Sequence, residues 1–226
     1  MIVRIPRLLD APRLAAIESL LREGSWEDGR ATAGFQSAPV KHNLQLAPGS
    51  AAANQAGEIV LRALERHPDF VSAALPRHVY PPLFNRYDPG MGFGAHVDNA
   101  VRQIPGTHHR LRIDVSATLF LSRIEDYDGG ELVIEDTFGA HSVKLAAGDM
   151  VVYPASSLHK VEPVTRGARV AAFFWVQSMV RDDAARTTLF EMDTAIRELT
   201  ASGADGNALL RLTACYHNLL RRWADV

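Results

Sequence analysis

The sequence predicts a mainly β protein with flanking helices, whose core is a double-stranded β-helix, a jelly roll of the cupin-like kind. Three observations predict it. From Val79 onward the chain breaks into short runs that alternate in polarity or are continuously apolar, separated by Gly, Pro and Asp. These runs fall near 79–87, 94–98, 112–122, 131–136, 141–145, 149–153, 158–164 and 168–178. Nothing between them supplies the crossover helices that a parallel sheet requires, so the strands must pair antiparallel in a double-sheet architecture. Helical periodicity is confined to the two ends of the chain.

The 226 residues, 47% of them hydrophobic, are enough for one sizeable core. They divide into an N-terminal helical buttress over 1–77, the jelly-roll core over 78–178 and a C-terminal helical extension over 179–226. A formal net charge of −2, with no block of like charges, implies neither nucleic acid nor an anionic membrane surface as an electrostatic partner. The single cysteine, Cys215, excludes an intrachain disulfide framework and fits a reducing compartment. The N-terminus lacks the apolar core of a signal peptide, and no run reaches transmembrane length. Cytoplasm is therefore the expected location.

In the buttress, Asp10 is placed to cap a helix over 10–23, with Pro12 in its first turn, an apolar stripe of Leu14, Ile17, Leu20 and Leu21, and Gly24 as its stop. Residues 25–49 show no clear period except for Lys41–Leu46, which reads as an edge strand without an evident role. A second helix is expected from Ser50 to about Arg66, ended by His67-Pro68. Beyond the core, Asp182 or Asp183 is expected to cap one amphipathic helix, and Gly203–Gly206 separates it from a second that carries Leu209, Leu212, Tyr216, Leu219, Leu220 and Trp223. Packing against the sheet is the expected use of this tail, with a homodimer contact as the alternative.

The chemistry is concentrated in the core. After the glycine-rich turn Asp88-Pro89-Gly90-Met91-Gly92 come His96 and Asp98, and on a strand residues i and i+2 project from one face, so both can enter one cavity. His159 is the candidate third ligand. Two histidines and one carboxylate make a facial triad, which leaves coordination positions open and suits non-haem Fe(II) that must bind a cosubstrate and O2 together. Ten residues after His159, Arg169 lies in a strongly apolar strand. A guanidinium there suits a bidentate grip on the far carboxylate of a dicarboxylic cosubstrate such as 2-oxoglutarate. The alternative is an internal ion pair with Glu162 or Asp149.

Geometry tests the set. A simple hairpin centred on Arg166-Gly167 would leave Arg169 opposite Val164, roughly 16 Å along the ladder from His159. Strands in opposite sheets would instead let both residues face one cavity. Between 112 and 122, Asp114, Ser116, Thr118 and Phe120 share one face and Ile113, Val115, Ala117, Leu119 and Leu121 the other. The segment 99–111 is a polar loop and candidate substrate lid, in which the adjacent His108 and His109 point opposite ways and read as loop histidines.

The order His-x-Asp, His, Arg resembles the Fe(II)- and 2-oxoglutarate-dependent dioxygenases of the prolyl 4-hydroxylase-like branch, most closely the bacterial PKHD-type hydroxylases. The matching pieces are Asn85 through Asp98, Ser116 through Leu121, Asp128 through Leu132, Gly148-Asp149-Met150 and His159 through Trp175, spread over residues 85–175. Carried over residue by residue, the resemblance implies iron at His96, Asp98 and His159 and the 2-oxoglutarate carboxylate at Arg169. It also implies Tyr87 and Thr118 near the cosubstrate, O2 as the oxidant, L-ascorbate dependence, and hydroxylation of a small-molecule or peptide substrate with release of succinate and CO2. Two other classes share these residues: a zinc hydrolase using the same triad to activate water, and a non-catalytic cupin-like binding or sensing module.

Overall fold

The computed structural model describes residues 1–32 and 37–226; residues 33–36, inside the stretch of the sequence without clear period, lie outside the described residues. In chain order the strands are β1 (Val3–Ile5), β2 (Trp26–Asp28), β3 (Lys41–His42), β4 (Leu44–Leu46), β5 (Pro76–Val79), β6 (Leu83–Tyr87), β7 (Gly92–His96), β8 (Val101–Gln103) and β9 (Arg110–Arg112). They continue with β10 (Val115–Phe120), β11 (Tyr127–Gly129), β12 (Leu132–Asp136), β13 (Gly139–Val143), β14 (Met150–Pro154), β15 (His159–Val161), β16 (Val164–Gly167) and β17 (Arg169–Ser178). The helices are α1 (Ala11–Glu23), α2 (Ala51–Leu64), α3 (Pro68–Ala74), α4 (Asp183–Ala201) and α5 (Gly206–Trp223).

Two antiparallel sheets face one another. The larger has the order β1-β14-β10-β17-β6-β4-β2, with β5 also paired to β17, and the smaller has the order β13-β12-β15-β7-β3. Along the core the chain passes from sheet to sheet: β6 lies in the larger, β7 in the smaller, β10 in the larger, β12 and β13 in the smaller, β14 in the larger, β15 in the smaller and β17 in the larger. This alternation makes the jelly roll that the strand pattern predicts. It also resolves the position of Arg169. Because β16 leaves to pair with β11, β15 and β17 never form a hairpin and their inner faces look across one cavity.

Each sheet face has its own core. On β10, Val115, Ala117 and Leu119 join Ala172, Phe174 and Val176 of β17 in a cluster sealed by Ile17 and Leu21 of α1 and by Val60 and Leu64 of α2. Burying each such aliphatic side chain is worth about 1.5–3 kcal/mol, so this layer anchors the larger sheet, whose other face is one wall of the cavity. The opposite faces of the same strands carry Ser116, Thr118, Phe173 and Trp175 inward. Between the sheets, Tyr87, Phe120, Leu132, Ile134, Val151 and Val164 form a second cluster that closes the far end.

The expected Asp10 cap holds at the atomic level, Asp182 rather than Asp183 caps α4, and Ser50 also caps α2. The Asp10 carboxylate accepts from the Arg13 amide at 3.0 Å, the Ser50 hydroxyl accepts from the Ala53 amide at 3.2 Å, and Asp182 accepts from Ala185 at 2.7 Å. Several expectations need correction. His67-Pro68 does not simply end helical structure, because Pro68 occupies the first turn of α3, where its missing N–H costs nothing. Lys41–Leu46 is not one edge strand: β3 pairs with β7 in the smaller sheet and β4 with β6 in the larger, so the chain changes sheet at Asn43. The segment 1–77 therefore contributes strands to both sheets as well as helices. The tail docks mainly on α3 rather than on a sheet, through the Arg197–Asp69 ion pair of 2.7 Å and a cluster of Leu75, Val180 and Leu189 that Tyr216, Leu219, Leu220 and Trp223 cover. The polar loop after Asp98 is a β8–β9 hairpin, with His108 and His109 exposed near its tip.

Candidate metal centre and cosubstrate pocket

The turn before β7 sets the geometry of the first two candidate ligands. Met91 N–H donates to the Asp88 carbonyl at 2.9 Å, Pro89 and Gly90 occupy the centre of the turn, and Gly90 takes φ +85°, as a type II turn demands of its third residue. The chain then enters β7, where His96 lies directly opposite His159 of β15. One ligand atom each from His96, Asp98 and His159 come within 4.8 Å of one another, close enough to share one cation. The ring centroids of the two histidines are 4.2 Å apart.

Both imidazoles are oriented from behind. Nδ1 of His96 lies 2.9 Å from the Gly94 carbonyl and Nδ1 of His159 lies 3.0 Å from the Ser157 carbonyl. A carbonyl can only accept, so each Nδ1 carries the proton and donates, which leaves each Nε2 with a free lone pair. Phe93 stacks on His96 at 3.7 Å, and Tyr153 meets His159 edge-on at 5.2 Å. Burial, and then the facing His159, pull His96 down to about 4, so it is a neutral ligand near neutral pH. The Ser116 hydroxyl donates to Asp98 Oδ2 at 2.6 Å and fixes that carboxylate.

The cavity, with a volume of about 70 Å3, runs from this centre to Arg169. Arg169 is 1% exposed, and its guanidinium lies 5.3 Å from the rings of both Tyr87 and Phe120. None of its three nitrogens has a hydrogen-bond partner. Burial pushes the Tyr127 phenol up, and the Arg169 guanidinium, close enough for a weak polar contact with it, pulls the other way, but neither group completes a hydrogen bond of ordinary geometry. The internal ion-pair alternative therefore fails: Glu162 pairs with Lys160 at 2.6 Å, and Asp149 accepts from the Arg7 amide at 2.7 Å. A buried cation with unfilled donors is costly unless an anion arrives to fill them.

Residues 82–177 match the 2OG-Fe(II) oxygenase superfamily, and residues 183–225 match the PKHD-type hydroxylase C-terminal domain. A PKHD-type hydroxylase of Burkholderia ambifaria is 60% identical, and one of Pseudomonas putida 59% identical, each over 100% of both chains. The chain belongs to the PKHD-type hydroxylases. In fold it resembles a Pseudomonas putida prolyl-4-hydroxylase (TM-score 0.52, 22% identity, 78% of this chain and 92% of that one). It also resembles a Trichoplax adhaerens prolyl hydroxylase (TM-score 0.56, 14% identity, 78% and 83%).

This PKHD-type hydroxylase is thus an Fe(II)- and 2-oxoglutarate-dependent dioxygenase, and the zinc-hydrolase alternative gains no support. Its residues fit the cofactors on physical grounds. Two imidazoles and a carboxylate leave part of a coordination sphere open, as iron that must also bind a 2-oxo acid would require, and the orphaned Arg169 fits the remaining carboxylate. Tyr87 and Thr118 both line the cavity. Tyr87 accepts from Asn85 Nδ2 at 3.3 Å, and burial pushes its phenol up.

Three polar residues of the hydroxylase pocket escaped sequence reasoning. Asn85, 7% exposed, lines the cavity with its Oδ1 unpaired. Lys41, 4% exposed, enters from β3. Arg102 enters from β8 with its guanidinium carbon 4.0 Å from the Trp175 ring centroid. For Asn85 a signal existed, since it shares a strand face with Tyr87 at i+2.

Proposed function

We propose that His96, Asp98 and His159 hold the ferrous ion of this dioxygenase and that Arg169 receives the remote carboxylate of 2-oxoglutarate, with Tyr87 and Thr118 beside it. The observation that carries this reading is the guanidinium of Arg169, buried and without a hydrogen-bond partner in the same cavity as the three ligand side chains. Iron, 2-oxoglutarate and O2 together supply the oxidation: one oxygen atom enters a substrate C–H bond, the other completes succinate, and CO2 leaves.

The chain's own work is to bind, orient and exclude water. The backbone carbonyls of Gly94 and Ser157 hold the two imidazole protons at Nδ1, so both Nε2 atoms stay available. Ser116 holds Asp98 in one orientation. Tyr87 and Phe120 flank the Arg169 guanidinium with aromatic surface, which keeps water from its donors and strengthens a charge-assisted contact there.

Finer assignments belong to the same reading. Ascorbate would keep the iron ferrous, as the family resemblance implies. The substrate is a small molecule or a peptide. The chain divides into a buttress (1–77), an oxygenase core (78–178) and a C-terminal extension (179–226), with a cytoplasmic location. Pairing of two copies through the C-terminal helices belongs to the same reading, as the family resemblance implies.

The test is iron-dependent conversion of labelled 2-oxoglutarate to succinate by His96→Ala, Asp98→Ala and His159→Ala. Each is expected to lose turnover while keeping its far-ultraviolet circular dichroism. Undiminished 2-oxoglutarate consumption in any one variant removes that residue from the site.

A further inference from the structure

The segment Tyr127-Asp128-Gly129-Gly130 takes no part in the chemistry described so far, yet it packs against the residue at which the cavity ends. A Cβ on Gly130 would lie 3.0 Å from Arg169 Cδ and 3.2 Å from Tyr127 Cε2, so both side chains crowd one bare backbone position. Glycine there is what lets the two come together. Tyr127 belongs to β11, which pairs with β16 rather than with either main sheet, and its register partner is Gly167, two residues before Arg169. Its ring is also held by Lys144, whose ammonium lies 3.9 Å from the ring centroid and donates to the Tyr127 carbonyl at 2.8 Å.

Tyr127 is 0% exposed, and among the described residues its hydroxyl has no hydrogen-bond partner. The three Arg169 nitrogens are in the same state. Neither group can satisfy the other. A guanidinium only donates, so a contact between them would fill a lone pair on the phenol oxygen and leave the phenol O–H and the other guanidinium N–H groups without acceptors. Burial holds the phenol above its ordinary range, so it keeps the proton it would donate. The two rings that flank the guanidinium do not supply the missing acceptors: Phe120 has no polar atom, and the Tyr87 oxygen already accepts from Asn85. Unfilled buried donors are costly. A carboxylate carries enough lone pairs to take two N–H groups from the fork and one O–H as well.

We propose that the Tyr127 hydroxyl is a second anchor for the remote carboxylate of 2-oxoglutarate, donating to it beside the Arg169 fork. This rests on the assignment of Arg169 above and adds a residue to the same cosubstrate site. The donor comes from β11, outside the two main sheets. Selection of a dicarboxylic over a monocarboxylic 2-oxo acid therefore depends on the double-glycine turn as well as on the jelly roll.

The test compares two 2-oxo acids that differ only at the remote end. 2-Oxoglutarate and 2-oxobutyrate present the same oxo acid to the metal, and only the first carries a remote carboxylate. Each is titrated anaerobically into Fe(II)-loaded wild type, Tyr127→Phe and Arg169→Ala, and binding is followed by the visible band of the complex. Tyr127→Phe is expected to weaken 2-oxoglutarate roughly tenfold or more, as loss of a hydrogen bond to a charged group should, and to leave 2-oxobutyrate unchanged. Melting curves without cosubstrate complete the test: a hydroxyl with no partner stabilises nothing, so Tyr127→Phe should melt no lower than wild type. A lower melting temperature, an equal loss for both acids, or full 2-oxoglutarate binding by Tyr127→Phe alongside a loss in Arg169→Ala overturns this proposal and leaves Arg169 in place. Full 2-oxoglutarate binding by Arg169→Ala overturns the Arg169 assignment, and this proposal with it.

Discussion

Arg169 and Tyr87 are direct partners across the β17–β6 ladder, and the guanidinium carbon of one lies 5.3 Å from the ring centroid of the other. The tyrosine ring supports a cation that has no hydrogen bond of its own. A cation in that state is poised for an external anion, and removing it should affect the cosubstrate before it affects the metal. Hydrogen bonds to charged groups are worth about 1.5–3 kcal/mol, so Arg169→Ala should weaken 2-oxoglutarate binding roughly ten- to a hundredfold at about 1.4 kcal/mol per tenfold. Arg169→Lys should fall between the two, because lysine restores the charge without the fork. Anaerobic titration of 2-oxoglutarate into the Fe(II)-loaded variants reads this directly. Normal binding by Arg169→Ala, with an early melt, would make the residue a structural element only.

Ser116 is the next lever. Its hydroxyl donates to Asp98 Oδ2 at 2.6 Å, and loss of such an outer contact usually costs about 10–100-fold in metal affinity or activity. Ser116→Ala should therefore raise the Fe(II) dissociation constant by about tenfold with little change in melting temperature, as competition with a chelator would show. Unchanged affinity would mean that Asp98 is oriented without help.

Lys41 makes a pH prediction. Burial, and then the Arg102 cation, pull its ammonium down to about 8, against about 10.5 in the unfolded chain. Between those values the unfolded chain holds a proton that the folded protein has lost, so folding stability rises with pH across that window. Lys41→Met should accordingly be more stable than wild type near pH 7. The gap should narrow by on the order of 1–3 kcal/mol by pH 10. Urea midpoints of both proteins at the two pH values decide it, and a constant gap would show that the ammonium is not strained.

Gly167 ties the strand that leaves the smaller sheet to the one that carries Arg169. Its φ is +69°, and a Cβ there would clash with the Asp126 carbonyl oxygen, which is backbone and cannot rotate away. Gly167→Ala should destabilise the fold by about 2 kcal/mol or more, from left-handed strain together with the clash. A Tm within a degree of wild type would show that the β11–β16 pair can shift freely.

How much of this was legible in the sequence follows from how local each signal is. His96 and Asp98 were readable because i, i+2 spacing on a strand fixes a shared face regardless of the rest of the fold. Arg169 was readable as a charge in an apolar strand, but its distance from His159 depended on which sheet each strand joined. Lys41 was hidden, because its entry to the cavity follows from the chain changing sheet at Asn43, which no pattern of two or three residues announces. Arg102 was hidden for a similar reason: β8 has three residues, too short for a period, and only the hairpin carries its side chain onto Trp175. α3 was missed because proline is read first as a terminator, although it suits a first helical turn equally well.

The central claim is that one cavity holds iron on His96, Asp98 and His159 and 2-oxoglutarate between that iron and Arg169. The most direct measurement is the visible absorption of the protein mixed anaerobically with Fe(II) and 2-oxoglutarate. Wild type should give a weak charge-transfer band that Zn(II) does not produce. The band should be lost in His159→Ala and Asp98→Ala, and should return in Arg169→Ala only at roughly ten- to a hundredfold higher 2-oxoglutarate, from the same charge-assisted contact. A band of full intensity in the ligand variants, or turnover supported by zinc and not by iron, would contradict the account.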